Sequence, residues 1–83
     1  MKHHYLKILP EYFEDVKSGI KTFEYRRNDR NYEAGDTATL FEFDNVKDIS
    51  TGRMLDIVIS YVLENKLGLP LGFAILAIHV ISI

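Results

Sequence analysis

Polar side chains at every second position of one short segment have the spacing to bind an anionic ligand. Thr22, Glu24 and Arg26 are two residues apart, so on an extended strand they share one face at intervals of about 6.6 Å. An arginine fork matches phosphate, carboxylate or a base edge, and a glutamate accepts hydrogen bonds from base amino groups. Lys21 is out of phase, but it follows Gly19, where the backbone can turn it towards the same cleft. An ordinary surface ion pair is the alternative.

The neighbouring residues predict the elements that position this segment. Phe23 and Tyr25 alternate with the polar side chains, which predicts a half-buried strand over 22–27 anchored by the two aromatic rings. Pro10 and an apolar stripe at helical spacing predict a short helix over about 10–18, which ends before the corner at Gly19.

Apolar alternation predicts four further strands, at 5–9, 37–44, 53–63 and 73–83. In the strand over 53–63 the apolar residues that face one way are Leu55, Ile57, Ile59, Tyr61 and Leu63. A polar hairpin connection is expected over 45–52, and the last strand, extended over roughly 36 Å, is expected to bend. Every strand pair is open to antiparallel pairing. We therefore expect a mixed α/β, mainly β fold: a small open barrel of five or six mostly antiparallel strands with one main helix.

Composition limits the class of protein. Eighty-three residues, 47% of them apolar, predict a single domain over 1–83. No cysteine is present and no apolar signal region or membrane span is visible, so a cytoplasmic protein without membrane contact is expected. His3 and His4 are adjacent and would point to opposite faces of a strand, so we expect no metal site and no cofactor. His79, within an apolar strand, is interpreted as structural.

Charge is distributed unevenly along the chain. The net charge is −2, which argues against a non-specific polyanion binder. Within residues 16–30, however, five Lys and Arg oppose two Asp and Glu, a local charge of +3. A local basic site on an acidic body favours an anionic ligand selected by geometry.

The spacing Gly19-x-Lys21-x-x-Glu24-x-Arg26 resembles the signature of ASCH domains, which have the PUA-like β-barrel fold. Further stretches are similar to a small phage and bacterial subfamily of unknown function, and together they cover nearly the whole chain: His4-x-Leu6-Lys7-Ile8-Leu9-Pro10-x-Tyr12-Phe13, Asn28-Asp29-Arg30-x-Tyr32-x-x-Gly35-Asp36, Thr51-Gly52-Arg53 and Gly68-Leu69-Pro70-x-Gly72-Phe73-x-Ile75-Leu76. The resemblance implies a module that binds RNA or a nucleotide-derived ligand, with the signature residues in a cleft between helix and barrel. The expected ligand-binding residues are Lys21, Thr22, Glu24, Arg26, Arg27, Arg30 and Tyr32, the last as a stacking platform or as a packed loop residue.

Two other functions stay open. One ASCH subgroup resembles an amidohydrolase acting on acetylated cytidine through a lysine, a threonine three positions later and a distant glutamate. Lys21 matches the lysine, Glu24 stands where the threonine would be, and Glu64 is a candidate for the third residue. If the chain is an enzyme, Lys21 and Glu24 are its catalytic residues; binding is favoured, because a carboxylate beside Lys21 favours the charged ammonium. The second alternative is a protein-interaction domain of a phage or mobile element.

Overall fold

One curled sheet and one helix make up the fold. The computed structural model describes residues 1–83. Its elements are β1 (His3–Ile8), α1 (Pro10–Lys17), β2 (Phe23–Arg27), β3 (Thr37–Asp44), β4 (Ile49–Glu64) and β5 (Phe73–Ser82). The strands follow the order β1-β3-β4-β5-β2 and curl into a half-barrel. The expected mainly β fold with one helix is confirmed.

Strand direction agrees with the expectation at three of the four pairings. β2–β5, β3–β4 and β4–β5 are antiparallel, whereas β1 and β3 are parallel, with Leu6 opposite Leu40. The expectation that every pair could be antiparallel is therefore wrong for β1–β3. Parallel strands need a long crossover, and residues 9–36, which contain α1 and β2, supply it.

The core fills the concave side of the sheet beneath α1. It contains 13 buried residues: Leu6, Ile8, Phe13, Val16, Tyr32, Ala38, Leu40, Leu55, Ile57, Ile59, Ala74, Leu76 and Ile78. The helix contributes Phe13 and Val16, three residues apart and so on one face. No buried side-chain nitrogen or oxygen lacks a hydrogen-bond partner, so the buried polar groups carry no unpaired desolvation cost.

β4 is longer than predicted and changes phase within its length. It begins at Ile49, because Asp44 accepts hydrogen bonds from the N–H groups of Val46 and Lys47 and so closes a tight turn where a longer connection was expected. A bulge between Ile59 and Tyr61 then reverses the alternation. As a result Tyr61, predicted to share the face of Ile59, is 60% exposed.

β2 presents the opposite face to the one predicted for burial. Phe23 and Tyr25 are 49% and 50% exposed, whereas Glu24 between them is 6% exposed. The prediction that the aromatic pair anchors the strand inside is wrong. β2 is an edge strand, and its inward carboxylate is accepted in the interior because Lys21 and Arg26 pair with it.

Arg53 connects the helix to the sheet through two carboxylates. Its Nε and Nη2 each lie 3.0 Å from an oxygen of buried Glu42, and its Nη1 lies 2.7 Å from Glu14 on α1. Hydrogen bonds from Arg53 and Thr51 lower the pKa of Glu42, and the hydrogen bonds to Glu42 and Glu14 raise the pKa of Arg53. This arrangement is the bidentate pairing that an arginine fork allows.

A buried carboxylate orders the start of β1 and the loop before β3. Asp36 accepts hydrogen bonds from the N–H groups of Lys2 and Glu33, and its Oδ2 lies 3.0 Å from Nε2 of His4. Burial by itself raises the pKa of Asp36, but the hydrogen bonds from Lys2, His4 and Glu33 outweigh it and lower the pKa to about 2. The group is therefore an ionised acceptor in the folded protein.

Candidate functional site

The corner between α1 and β2 determines where Lys21 points. Gly19 has φ +83°, a backbone conformation that favours glycine, and the N–H of Lys21 donates to the carbonyl of Asp15 at 2.9 Å. The side chain then folds over β2, where Nζ donates to Phe23 O at 2.7 Å and to Glu24 Oε1 at 2.6 Å. Two of the three ammonium protons are used, and one remains for a ligand.

Glu24 lies between two cations. Its Oε1 accepts from Lys21, and its Oε2 accepts from Nη1 of Arg26 at 3.1 Å. The three side chains are 15%, 8% and 24% exposed for Lys21, Glu24 and Arg26. Two positive charges surround one negative charge, so the cluster has a net charge of +1 and attracts anions. The three side chains converge at Glu24, but only Lys21 and Glu24 line the concavity beside them; Arg26 does not.

Two arginine side chains, one on the edge strand β2 and one in the loop after it, contact the other edge strand, β1. Nη1 of Arg26 also donates to Lys7 O at 3.1 Å, and Nη1 of Arg30 donates to Tyr5 O at 2.9 Å. Both acceptors are carbonyls of β1, which pairs with β3 and with no other strand. Arg26 thus orients Glu24 and at the same time satisfies an edge carbonyl.

An aromatic-lined concavity of about 320 Å³ opens beside this cluster. Its lining residues are Tyr12, Lys21, Phe23, Glu24 and Tyr25. Nζ of Lys21 lies 5.2 Å from the ring centroid of Tyr12 and 4.8 Å from that of Phe23, both within the range of cation–π attraction. The arrangement offers a positive charge, a carboxylate and flat aromatic faces to one small ligand.

A second concavity, of about 290 Å³, also has Lys21 in its lining. Its other polar side chains are Lys17, Ser18, Thr22 and His79. Thr22 is exposed, and its carbonyl accepts a hydrogen bond from Ile78 N. His79 is exposed, with Nε2 3.1 Å from the hydroxyl of Ser60. Lys21 is thus common to both concavities.

Two further predicted ligand-binding residues, Tyr32 and Arg27, do not line the concavity beside Lys21. Tyr32 is 3% exposed, with its ring 4.8 Å from that of His4 in an edge-to-face arrangement. It cannot serve as a stacking platform, and it is the packed loop residue of the other interpretation; burial raises its pKa. Arg27 lies on the outer face of β2, its guanidinium carbon 5.1 Å from the Phe73 ring centroid.

The remaining candidates have other partners. Glu64 accepts a hydrogen bond from the side-chain amide of Asn28. His3 is exposed on β1, with its ring nitrogens 2.6 and 2.9 Å from the hydroxyls of Thr37 and Thr39, while His4 points inward to Asp36. No group of three or more His, Cys, Asp or Glu side chains has the geometry of a metal site.

Tyr12 was not among the predicted site residues. It lies on α1, is 43% exposed and contributes a wall of the larger concavity. The signal in the sequence was an aromatic residue that lies outside the apolar helix stripe, one position before Phe13. Its relation to Lys21 depends on the corner at Gly19, which the helix pattern alone does not describe.

Comparison with known proteins gives the family. The family model described as a domain of unknown function, DUF3850, matches residues 3–78. The chain belongs to the DUF3850 family. A protein of Escherichia phage P2, described as "Uncharacterized 12.9 kDa protein in GpA 3'region", is 41% identical over 63 residues, which cover 76% of this chain and 56% of that protein. This chain thus spans little more than half the length of that relative. A separate finding concerns membranes: the single helix, α1, has neither the length nor the apolar character of a membrane span.

Proposed function

We propose that this domain binds RNA or a nucleotide-derived ligand in the cleft lined by Tyr12, Lys21, Phe23, Glu24 and Tyr25, beside the guanidinium of Arg26. The observation that carries the proposal is the position of the Lys21 ammonium. It lies between two aromatic rings, with Glu24 and a backbone carbonyl fixing its direction. The resemblance of the signature residues to ASCH domains supports the same ligand class, as does the local charge of +3 within residues 16–30.

Each group of the cleft has a role in this proposal. The third proton of Lys21 and the guanidinium of Arg26 contact a phosphate or a base carbonyl oxygen. Glu24 orients both cations. The remaining lone pair on each of its carboxylate oxygens accepts a hydrogen bond from a base amino group. The exposed rings of Tyr12 and Tyr25 offer faces for base stacking. We further propose that the ligand is a cytoplasmic RNA or nucleotide.

The geometry gives less support to hydrolysis. A lysine that attacks an amide carbonyl needs a free electron pair on Nζ. In this cleft Nζ donates to Glu24 and to the Phe23 carbonyl, and a carboxylate occupies the place that threonine has in the amidohydrolase-like subgroup. The arrangement suits a hydrogen-bond donor, so binding is the better-supported function.

Isothermal titration calorimetry with cytidine 5′-monophosphate, uridine 5′-monophosphate, acetylated cytidine and inorganic phosphate tests the proposal. We expect a mononucleotide to bind the wild type and Lys21→Ala to weaken binding by about tenfold or more, the loss of one charge-assisted hydrogen bond. Lys47→Ala is the matched control, because Lys47 is an exposed lysine in the β3–β4 turn. Equal affinity of all three proteins, or no binding of any probe, would contradict the proposal.

A further inference from the structure

The outer face of the sheet has an exposed aromatic surface beside the cleft. Three cross-strand rows define this aromatic platform: Phe23–Ala77–Tyr61, Tyr25–Ile75–Leu63, and Arg27–Phe73. Residues directly opposite each other share a face of the sheet, so these side chains form one layer on the convex side. Phe23, Tyr25 and Tyr61 are 49%, 50% and 60% exposed. The rings of Tyr25 and Phe73 stack at 5.5 Å.

The spacing of the platform suits flat rings laid side by side. Phe23 and Tyr25 are separated by about 6.6 Å along β2, and Phe23 and Tyr61 by about 9.6 Å across two strand spacings. Ala77, directly between Phe23 and Tyr61, has a small side chain that leaves space between the two rings. A row of exposed aromatic rings is the surface on which successive bases of a single strand stack.

The charges around the platform are positive. Nζ of Lys21 lies 4.8 Å from the centroid of Phe23 at one end, and the guanidinium of Arg27 lies 5.1 Å from that of Phe73 at the other. The nearby carboxylates lie on the other face, because Glu24 is opposite buried Leu76 and Glu64 is opposite buried Ala74. A polyanion is therefore attracted to both ends of the platform and meets no acidic side chain in its three rows.

The platform is continuous with the cleft. Phe23 and Tyr25 line the 320 Å³ concavity, and because β2 is an edge strand the same two rings also belong to the outer face. We propose that the outer face of β2, β5 and β4 binds single-stranded nucleic acid by base stacking on Phe23, Tyr25 and Tyr61. The chain of nucleotides continues from the cleft over the edge of the sheet. This inference rests on the proposed function, because the bound strand is proposed to begin in the cleft.

Binding of a single-stranded RNA of about eight uridines and of uridine 5′-monophosphate, measured on the full chain, separates the platform from the cleft. Tyr61 belongs to the platform and not to the cleft lining. We expect Tyr61→Ala to weaken binding of the oligonucleotide about tenfold, or about 1.4 kcal/mol, and to leave mononucleotide binding unchanged. Tyr61→Phe, which retains the ring, is expected to bind as the wild type does. Tyr5→Ala is the matched control, because Tyr5 is an exposed tyrosine on β1, the opposite edge strand.

Each other outcome has a distinct meaning. If Lys21→Ala weakens both ligands while Tyr61→Ala weakens neither, the cleft proposal stands and the platform is wrong. If Tyr61→Ala weakens oligonucleotide binding but Lys21→Ala changes nothing, the platform stands and the cleft proposal is wrong. If neither ligand binds the wild type, both are wrong. If sedimentation shows a dimer that Tyr61→Ala dissociates, with oligonucleotide binding unchanged, the surface binds a second copy and the platform proposal is overturned.

Discussion

The Nζ of Lys21 lies 2.6 Å from Oε1 of Glu24, and the two side chains are only 15% and 8% exposed. This pair lies where an edge strand would normally present a hydrophobic residue to the core. Arg26 occupies the other oxygen of Glu24. The Glu24 carboxylate therefore has two roles. It pairs with both cations inside the fold, and it orients the Lys21 side chain towards the cleft.

Glu24→Gln is expected to lower the free energy of unfolding by about 2 kcal/mol, because it leaves two partly buried cations without their counter-charge. Urea unfolding at neutral pH measures the change. Glu33→Gln is the control: Glu33 pairs with Lys2 at 3.4 Å but is 68% exposed, so its loss should be below about 0.5 kcal/mol. Equal effects of the two substitutions would mean that the buried position of Glu24 contributes nothing.

The two carboxylates on Arg53 should differ in their contribution to stability. Glu42 is 5% exposed and Glu14 is 59% exposed. Glu42→Gln is expected to lower the free energy of unfolding by about 2 kcal/mol, and Glu14→Gln by less than about 0.5 kcal/mol. Thermal and urea unfolding of both variants provide the comparison. A larger loss from the Glu14 substitution would show that the helix contact, and not the contact within the sheet, dominates this network.

Asp36 is expected to make the free energy of unfolding decrease at acid pH. Its pKa is lowered to about 2 from an ordinary value of 3.8, so the unfolded chain binds a proton at a higher pH than the folded protein does. The stability that this group contributes is complete above about pH 4 and is lost as the pH falls towards 2. As the pH falls from about 4 to about 2, the urea concentration at the midpoint of unfolding should decrease less for Asp36→Asn than for the wild type. Parallel curves would contradict the assignment.

Salt dependence reports how many phosphates the domain contacts. The cations at the cleft and platform are few, and the net charge of the chain is −2. If two to four phosphates are neutralised, the slope of log affinity against log salt for a single strand is between about −1.4 and −2.8. Fluorescence anisotropy at several salt concentrations measures it. A flat line, or a slope near −7, the value for about ten phosphates, would be inconsistent with a small local site.

The sequence was sufficient to predict the order of the elements but not the inward face of every strand. α1 and β3 were predicted within one residue, because Pro10, Gly19 and the alternation after Asp36 are local signals. The alternation of β2 was equally clear, yet it identifies two faces without saying which is inside. Glu24 faces inward because its carboxylate pairs with Lys21 and Arg26. Comparing the hydrophobicity of the two faces does not take such ion pairs into account.

The mutual contacts of Lys21, Glu24 and Arg26 could be predicted from the sequence, and the surroundings of these residues could not. Strand phase brought Glu24 and Arg26 together, and the glycine corner explained Lys21. The burial of Tyr32, a loop residue, depends on packing against His4 of β1, and the exposure of Tyr61 depends on a bulge in β4. Both are long-range features, so no local pattern could predict them.

Binding of a nucleotide or RNA in the cleft around Lys21 can be located by mapping backbone and side-chain NMR shifts during a titration. With a mononucleotide, we expect the largest shifts at Tyr12, Lys21, Glu24, Tyr25 and Arg26. Residues of the β3–β4 turn should stay unchanged, and the shifts should be lost in Lys21→Ala. Mononucleotide shifts centred away from these residues, or no shifts with any nucleotide, would show that the domain does not bind its ligand there.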